Sequence, residues 1–459
     1  MGNTIAAIST PQAAGGIGIV RISGQEAAVI ADRVFQAVDG HKLTESDGYR
    51  AHYGHVVQNG EVLDEAIALA FRAPKSYTGE DVVELSCHGG LYVVRRVLRA
   101  VLENGARLAD AGEFTRRAFE NGKMSLTQAE AVMDLIGAQG KQAARAALSA
   151  REGRIAQKID ALKTEITGYA AHLAAWADYP EEDLIPVDTE QLSHDLGETI
   201  EKLKKMIKEG DAGRVIRDGV DTVIVGKPNV GKSTLMNCLA GCERSIVTHI
   251  AGTTRDIVEE KVVLGDVILR LADTAGIHTT QDPVESIGVE RAVSRMDSAG
   301  LVLAVFDNSL PLDEDDRQLL QSLRVQNLQG RPCVAVINKN DMDNQLDIGE
   351  VQRSIPKIVD ISAKDENGID RLAEAIADLL GVAELNPADG ILSGERQLQC
   401  ARQCLEMLLE AKNALDIGFT LDAVNVSLDG AVAALLELTG ERATDVVTDA
   451  VFHQFCVGK

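Results

Sequence analysis

The chain has 459 residues, too many for one core and enough for roughly three domains. Its 45% hydrophobic and 25% charged content is that of an ordinary soluble globular protein, and a 3% aromatic share with much Ala and Leu leans towards helix. A net charge of −24 argues against a protein that coats nucleic acid by bulk attraction, although it leaves room for a local basic patch.

The first ten residues, MGNTIAAIST, lack the basic region of a secretory signal, and Ala6 stands where a myristoylation signal carries Ser or Thr. No apolar run approaches the ~20 residues that span a bilayer. The 7 cysteines are odd in number and form no CxxC pair, which fits a reducing cytoplasm better than disulfides or zinc. Cys238/Cys242 and Cys400/Cys404 are spaced i,i+4 on expected helices and read as small buried hydrophobes, because no His or carboxylate completes a metal site. The expected localisation is cytoplasmic.

Residues 1–122 mix short β-like runs, Ile17–Ile22 and Val82–Leu85, with Gly-rich turns and some helix, an α+β pattern. Across 123–217 apolar residues recur at helical spacing, and ADYPEEDLIP (177–186) breaks the region into two stretches. From 218 to 380 the buried-strand runs DTVIVG, VILRLADTAG, LVLAVFD and CVAVINKND alternate with helical stretches, the signature of a parallel α/β sheet. Residues 381–459 are helical again. The expected architecture is therefore multidomain, with an α/β unit inserted into an all-α domain whose two parts pack together. The basic clusters Arg95-Arg96-Arg99, Arg116-Arg117 and Lys202-Lys204-Lys205-Lys208 read as solvated faces.

GKPNVGKST (226–234) matches G-x-x-x-x-G-K-[ST] where the strand Thr222–Val225 ends. Backbone N–H groups of such a loop cradle phosphates, Lys232 reaches the β- and γ-phosphates, and Ser233 ligates Mg²⁺. DTAG (273–276) places Asp273 at the Mg²⁺ shell and the Gly276 N–H at the γ-phosphate. In NKND (338–341) the Asp341 carboxylate can accept both N1–H and the 2-amino group of guanine, a pair of donors that adenine lacks there. SAK (362–364) offers a backbone N–H to guanine O6, and GTTRD (252–256) supplies a switch threonine. The order and spacing identify a guanine-nucleotide-binding domain of the Ras-like P-loop type. One position departs from the Ras pattern: Ile277 follows DTAG where Ras carries the Gln that orients the attacking water. Asn229, inside the phosphate loop, either caps the loop or gives its amide oxygen to a monovalent cation beside the phosphates. Glu285 is one of several acids beyond DTAG, with Asp282 and Glu290, that can position water.

Together with the phosphate loop, THIAGTTRD, VESIGVERA and the terminal FCVGK resemble the MnmE (TrmE) family of bacterial and organellar tRNA modification GTPases. The N-terminal TIAAISTPQAAGGIGIVRISG, SYTGEDVVELSCHGG and AGEFTRRAFENGKMSLTQAEAVMDLI are similar to that family's folate-binding domain and the start of its helical domain. The resemblance runs the whole chain. It implies a folate-binding and dimerisation domain over 1–122, a helical domain over 123–217 and 381–459, and an inserted G domain over 218–380. It implies that a homodimer, assembled with the MnmG flavoprotein as a heterotetramer, installs an aminomethyl or carboxymethylaminomethyl group on C5 of the wobble uridine of certain tRNAs. The one-carbon unit comes from 5-formyl- or 5,10-methylene-tetrahydrofolate, while FAD and NADH belong to the partner.

By matching motif, Asn229, Thr248, Ile250 and Thr253 hold K⁺, Ser233 and Thr254 hold Mg²⁺, and Glu285 positions water. The GTP contacts implied are Asn229, Val230, Gly231, Lys232, Ser233 and Thr234; Thr248, His249, Ile250, Ala251, Gly252, Thr253 and Thr254; Asp273, Thr274, Ala275 and Gly276; Asn338, Lys339 and Asp341; and Ser362, Ala363 and Lys364. The folate contacts implied are Arg21, Glu84, Lys123 and Lys459. In FHQFCVGK (452–459), Phe452 and Phe455 are suited to anchor the tail and put Cys456 beside Lys459, so that Cys456 acts in the chemistry as nucleophile or positioning group; the alternative is a packing cysteine. Two other readings compete. A ribosome-assembly or signalling GTPase that binds RNA without modifying it leaves the N-terminal motifs and FCVGK without a role. A structural scaffold leaves the phosphate loop and NKND without one.

Overall fold

The computed structural model of the chain describes residues 4–178, 188–241, 260–271, 296, 299–328 and 330–459. It divides into two units: Met1–Met133 with Ala156–Ala171 and Leu428–Lys459, and Asp134–Ile155 with His172–Ser427. Among the described residues no helix is long and apolar enough to cross a membrane.

The first unit is built on a seven-stranded sheet of β1 (Ile5–Ile8), β2 (Ile17–Ser23), β3 (Phe35–Ala37), β4 (Arg50–Gln58), β5 (Glu61–Phe71), β6 (Val82–His88) and β7 (Arg107–Leu108). The order is β3-β4-β5-β6-β2-β1-β7, and β1 and β7 are the parallel pair in an otherwise antiparallel sheet. Alternate residues of these strands, Val20, Ile22, Ala66, Ala68, Val83 and Leu85, pack with helices α1 (Ala27–Val34) and α2 (Leu91–Glu103) through Ile30, Val34, Val97 and Val101. The expectation of short β-like runs is too modest. The longest strands, β4 and β5, form a hairpin in which Gln58 faces Glu61 across Asn59-Gly60, with φ of 51° and 83° at the turn. Two positive-φ residues in a two-residue loop match the right-handed twist of the strands, and Asn-Gly is the pair that adopts them most readily.

Helix α3 (Glu113–Glu120) and helix α4 (Leu126–Gly137) follow. The last segment of the chain returns to this unit. Phe452 and Phe455 are buried against Leu126, Ala129 and Val132. Val457 bridges Ala111, the Phe114 N–H donates to the Lys459 carbonyl at 3.2 Å, and the Ser9 hydroxyl donates to the Gly458 carbonyl at 3.2 Å. Arg116 adds an ion pair to Asp449 at 2.7 Å.

The expected two helical stretches are more finely divided. The stretch before ADYPEEDLIP is three helices, α4, α5 (Lys141–Arg151) and α6 (Arg154–Asp178), interrupted at Gly140 and at Glu152-Gly153. Helix α7 (Thr189–Asp218) is capped by the Asp188 carboxylate, which accepts from the N–H groups of Glu190 and Gln191. It leads directly into the second sheet, of β8 (Val220–Val225), β9 (Glu260–Leu264), β10 (Val267–Leu271), β11 (Leu301–Asp307), β12 (Cys333–Asn338) and β13 (Ile358–Asp360). The order is β13-β12-β11-β8-β10-β9, parallel except for β9, which runs antiparallel to β10 at the edge. Both faces are apolar because both are covered. Leu301, Leu303, Val305, Val334 and Val336 enter one core, and Val302, Ala304, Phe306, Ala335 and Ile337 enter the other. The chain on either side of this sheet comes together in one place. Helix α7 lies along the helix Glu395–Asp416, with ion pairs Arg402–Asp211 at 2.5 Å and Arg214–Glu395 at 2.7 Å on its rim.

The tail seat depends on Gly458. Its φ is +100°, and a Cβ there lies 2.2 Å from the Ile8 carbonyl oxygen. Gly458→Ala is therefore expected to cost about 1–3 kcal/mol of local stability. Hydrogen exchange should show faster exchange at the Phe114 N–H and across 445–459, and unchanged protection there would contradict the seat.

Candidate functional site

The phosphate loop follows the pattern of its sequence. Strand β8 ends at Val225, the loop turns through Gly226 to Gly231, and helix α8 (Lys232–Gly241) begins on the motif lysine. Asn229 adopts φ 64° at the loop's exposed apex, a region that Asn tolerates better than most residues. Ser233 and Thr234 are exposed in the first turn of α8. The Lys232 ammonium donates to the Gly226 and Lys227 carbonyls at 2.8 Å each, so the lysine is folded over its own loop.

Asn338, the first residue of NKND, joins two motifs. Its Nδ2 donates to the Val230 carbonyl at 2.9 Å, and its Oδ1 accepts from the Ala363 N–H at 3.0 Å. Gly231 must lack a side chain here, because a Cβ would stand 2.2 Å from Asn338 Nδ2. Ser362 donates to Asp341 Oδ1 at 2.9 Å, which orients the exposed carboxylate expected to read guanine. Lys339 pairs with the buried Asp307 at 2.5 Å, and Lys364 is exposed beside the same loop. The structure thus brings together Asn229, Val230, Gly231, Lys232, Ser233, Thr234, Asn338, Lys339, Asp341, Ser362, Ala363 and Lys364. Thr248, His249, Ile250, Ala251, Gly252, Thr253, Thr254, Asp273, Thr274, Ala275, Gly276, Ile277 and Glu285 lie outside the described residues.

The second constellation is in the other unit. Arg21 on β2 and Glu84 on β6 are register partners, and Arg21 Nε donates to Glu84 Oε1 at 2.8 Å. The guanidinium also donates to the Gly458 carbonyl at 3.3 Å and lies over the rings of Tyr77 and Phe114, 5.5 and 5.6 Å from their centroids. Two residues read separately from the sequence are therefore one ion pair, closed on one side by the tail. Lys123 donates to the Pro74 carbonyl at 2.9 Å, on the loop that carries Tyr77. Lys459 is part of the seated tail, and Cys456 is exposed beside it, with its carbonyl accepting from the Lys459 N–H at 3.3 Å. The other described cysteines are buried, and burial pushes the thiols of Cys333 and Cys404 up to about 12. They are protonated and inert at neutral pH.

The reading of Arg116-Arg117 as a solvated face is wrong for Arg117. It is 12% exposed and pairs with Glu80 at 3.0 Å and Glu113 at 2.9 Å. Glu80 also accepts from Ser23 at 2.8 Å, and Arg107 donates to Glu113. Glu80, Arg107, Glu113 and Arg117, with Arg116, Asn121, Asp449 and His453, line a cavity of about 540 Å³ beside the seated tail. The sequence hides this network because Glu80 stands 37 residues from Arg117. Burial pushes the Glu113 carboxyl up, but bonds from Arg107, the Asp110 N–H and Arg117 outweigh it and hold the group below its ordinary 4.5.

Two outcomes follow from these geometries. Asn338→Ala removes one donor and one acceptor at once, and guanine-nucleotide affinity should fall about tenfold or more, measured by titration of a fluorescent GDP; unchanged affinity would refute the tie. A depressed folded pKa at Glu113 stabilises the protein above its unfolded value, and the contribution is lost as pH falls through the folded value. Glu113→Gln should lower the denaturation midpoint at neutral pH, and the deficit should vanish in acid well below 4.5. A deficit that persists in acid would contradict the linkage.

Comparison with known proteins shows the family. The family model of the MnmE helical domain matches residues 126–456, and that of the GTP-binding protein TrmE N-terminus matches residues 4–123. The chain is 42% identical to the tRNA modification GTPase MnmE of Geobacillus thermodenitrificans, covering 100% of this chain and 99% of the relative. It is 40% identical to that of Acetivibrio thermocellus over the same shares. Among solved structures, the G domain of the T. maritima FeoB iron transporter aligns at 23% identity and a TM-score of 0.25, over 35% of this chain and 98% of that one. With relatives of this closeness matched from end to end, the chain belongs to the MnmE family of tRNA modification GTPases.

Proposed function

We propose that the chain is a GTP hydrolase acting in tRNA modification, and that its G domain is K⁺-dependent. With a flavoprotein partner of the MnmG kind, it adds a carboxymethylaminomethyl or aminomethyl group to C5 of the wobble uridine, using a one-carbon tetrahydrofolate. The observation that carries the nucleotide part is the Asn338 tie, which fixes the phosphate loop and the SAK loop at one spacing. In that frame Lys232 exchanges the Gly226 and Lys227 carbonyls for phosphate oxygens, and Asp341, held by Ser362, accepts the two guanine donors.

Ile277 cannot orient water, so Glu285 takes that role in this reading. The Asn229 amide and the Ser233 hydroxyl, both exposed at the loop, are hard oxygen donors of the kind K⁺ and Mg²⁺ take. Thr248, Ile250 and Thr253 complete the K⁺ donors, and Thr254 joins Ser233. Bound there, the two cations supply positive charge against the phosphates, the part an arginine finger plays elsewhere.

In the N-terminal unit the Arg21–Glu84 pair, two aromatic rings and the seated tail offer a carboxylate for pterin donors beside a cation, a composition that fits a folate. Lys123 and Lys459 serve its anionic end, and Cys456 acts near the one-carbon unit as nucleophile or positioning group. In this reading the protein works in the cytoplasm as a homodimer and as a heterotetramer with its partner, which carries the FAD and uses the NADH.

GTP hydrolysis by the purified chain should rise about tenfold or more in KCl over NaCl at equal ionic strength, and Asn229→Ala should abolish the difference. Equal rates in the two salts would remove the cation mechanism. Arg21→Ala should lose binding of 5-formyltetrahydrofolate, and Cys456→Ser should lose wobble modification in cells while keeping GTP hydrolysis. Full modification by Cys456→Ser would sink the role of that thiol.

A further inference from the structure

Lys227 is the second residue of GKPNVGKST, a place where the motif specifies nothing. Its side chain is nevertheless 12% exposed, and its ammonium lies 2.7 Å from Oδ2 of Asp313 and 2.7 Å from Oδ2 of Asp316. The Asp316 side chain is 3% exposed, and its Oδ1 has no partner. A carboxylate so placed keeps its charge only beside a cation.

The two acids are themselves locked. The Asp313 N–H donates to Asp316 Oδ2 at 3.3 Å and the Asp316 N–H to Asp313 Oδ1 at 3.0 Å, a reciprocal cap on the helix Glu314–Leu328. Lys227 is thus fastened to a helix terminus rather than to a mobile side chain. Its carbonyl at the same time accepts from Lys232. One residue therefore connects that helix to the ammonium expected at the β- and γ-phosphates. The same segment reaches the other end of the nucleotide site, where Asp307 takes Lys339 of NKND. Residues 307–316 hold one lysine from each motif.

We propose that Lys227 is a positioning residue for phosphate recognition: clasped by Asp313 and Asp316, it sets the place of the phosphate loop without touching nucleotide itself. This rests on the nucleotide reading above. The full chain and its Lys227→Ala, Lys227→Arg and Asp313→Asn variants would be titrated with a fluorescent GDP and assayed for GTP hydrolysis. Lys227→Ala should weaken GDP binding about tenfold and raise KM for GTP more than it lowers kcat, because the loss falls on binding of the phosphates. Lys227→Arg, which keeps a cation for both acids, should restore most of the affinity. A merely structural pair predicts a lower melting temperature with unchanged affinity in the folded protein, and that result would overturn the proposal. Should Lys227→Ala not fold, Asp313→Asn, at a side chain 53% exposed, removes half of the clasp and should give a smaller loss of the same kind. Wild-type affinity and KM in that variant would overturn it equally. Absence of GDP binding by the unaltered chain would bring down the nucleotide reading itself, whereas binding that Lys227→Ala leaves intact brings down this inference alone.

Discussion

The nucleotide site hangs on one carboxamide. Asn338 gives a proton to a phosphate-loop carbonyl and takes one from a base-loop amide, and few side chains do both from a single planar group. The sheet order makes this necessary. The phosphate loop leaves β8 and Asn338 ends β12, but β11 lies between them, so backbone pairing does not join the two loops. An aspartate of the same shape has no donor, and a glutamine carries its amide one carbon further. The rest of the site adapts to this contact, down to the missing side chain at Gly231.

Much of this was legible beforehand because phosphate and guanine chemistry is written in local spacing. A loop that wraps an anion needs its glycines and lysine within a few residues of each other, and GKPNVGKST states them in a row. The parallel strands β8, β10, β11 and β12 were legible for a similar reason, since a strand covered on both faces is apolar without interruption. The edge strand β9 was not, because edge pairing leaves no comparable run. The hairpin β4–β5 carries one local signal, the Asn59-Gly60 turn, but exposed alternate positions break the apolar pattern on either side of it.

The N-terminal constellation was legible only through resemblance. Arg21 and Glu84 stand 63 residues apart, and nothing in either segment announces that β2 and β6 will pair in that register. Glu80 was hidden from Arg117 by a separation of 37 residues, and the Lys227 clasp by separations of 86 and 89. Charge in a sequence looks solvated until tertiary contacts remove the water. That is why Arg117 reads as a solvated cation in the sequence while the fold buries it.

The seat of the tail also constrains when the N-terminal unit can be finished. Strands β4, β5 and β6 pair with near neighbours, so much of that sheet can assemble early on the ribosome. The bond from Ser9 to Gly458 spans 449 residues, and the bond from Arg21 to the same carbonyl spans 437. Closure of contacts so remote waits for loop-closure entropy to be met by the whole intervening chain. The wall that the tail provides for the Arg21–Glu84 pair is therefore among the last parts of the molecule to form. Throughout translation of the G domain that pair stands open, and its ring-stacked guanidinium waits for a carbonyl that has not yet been made.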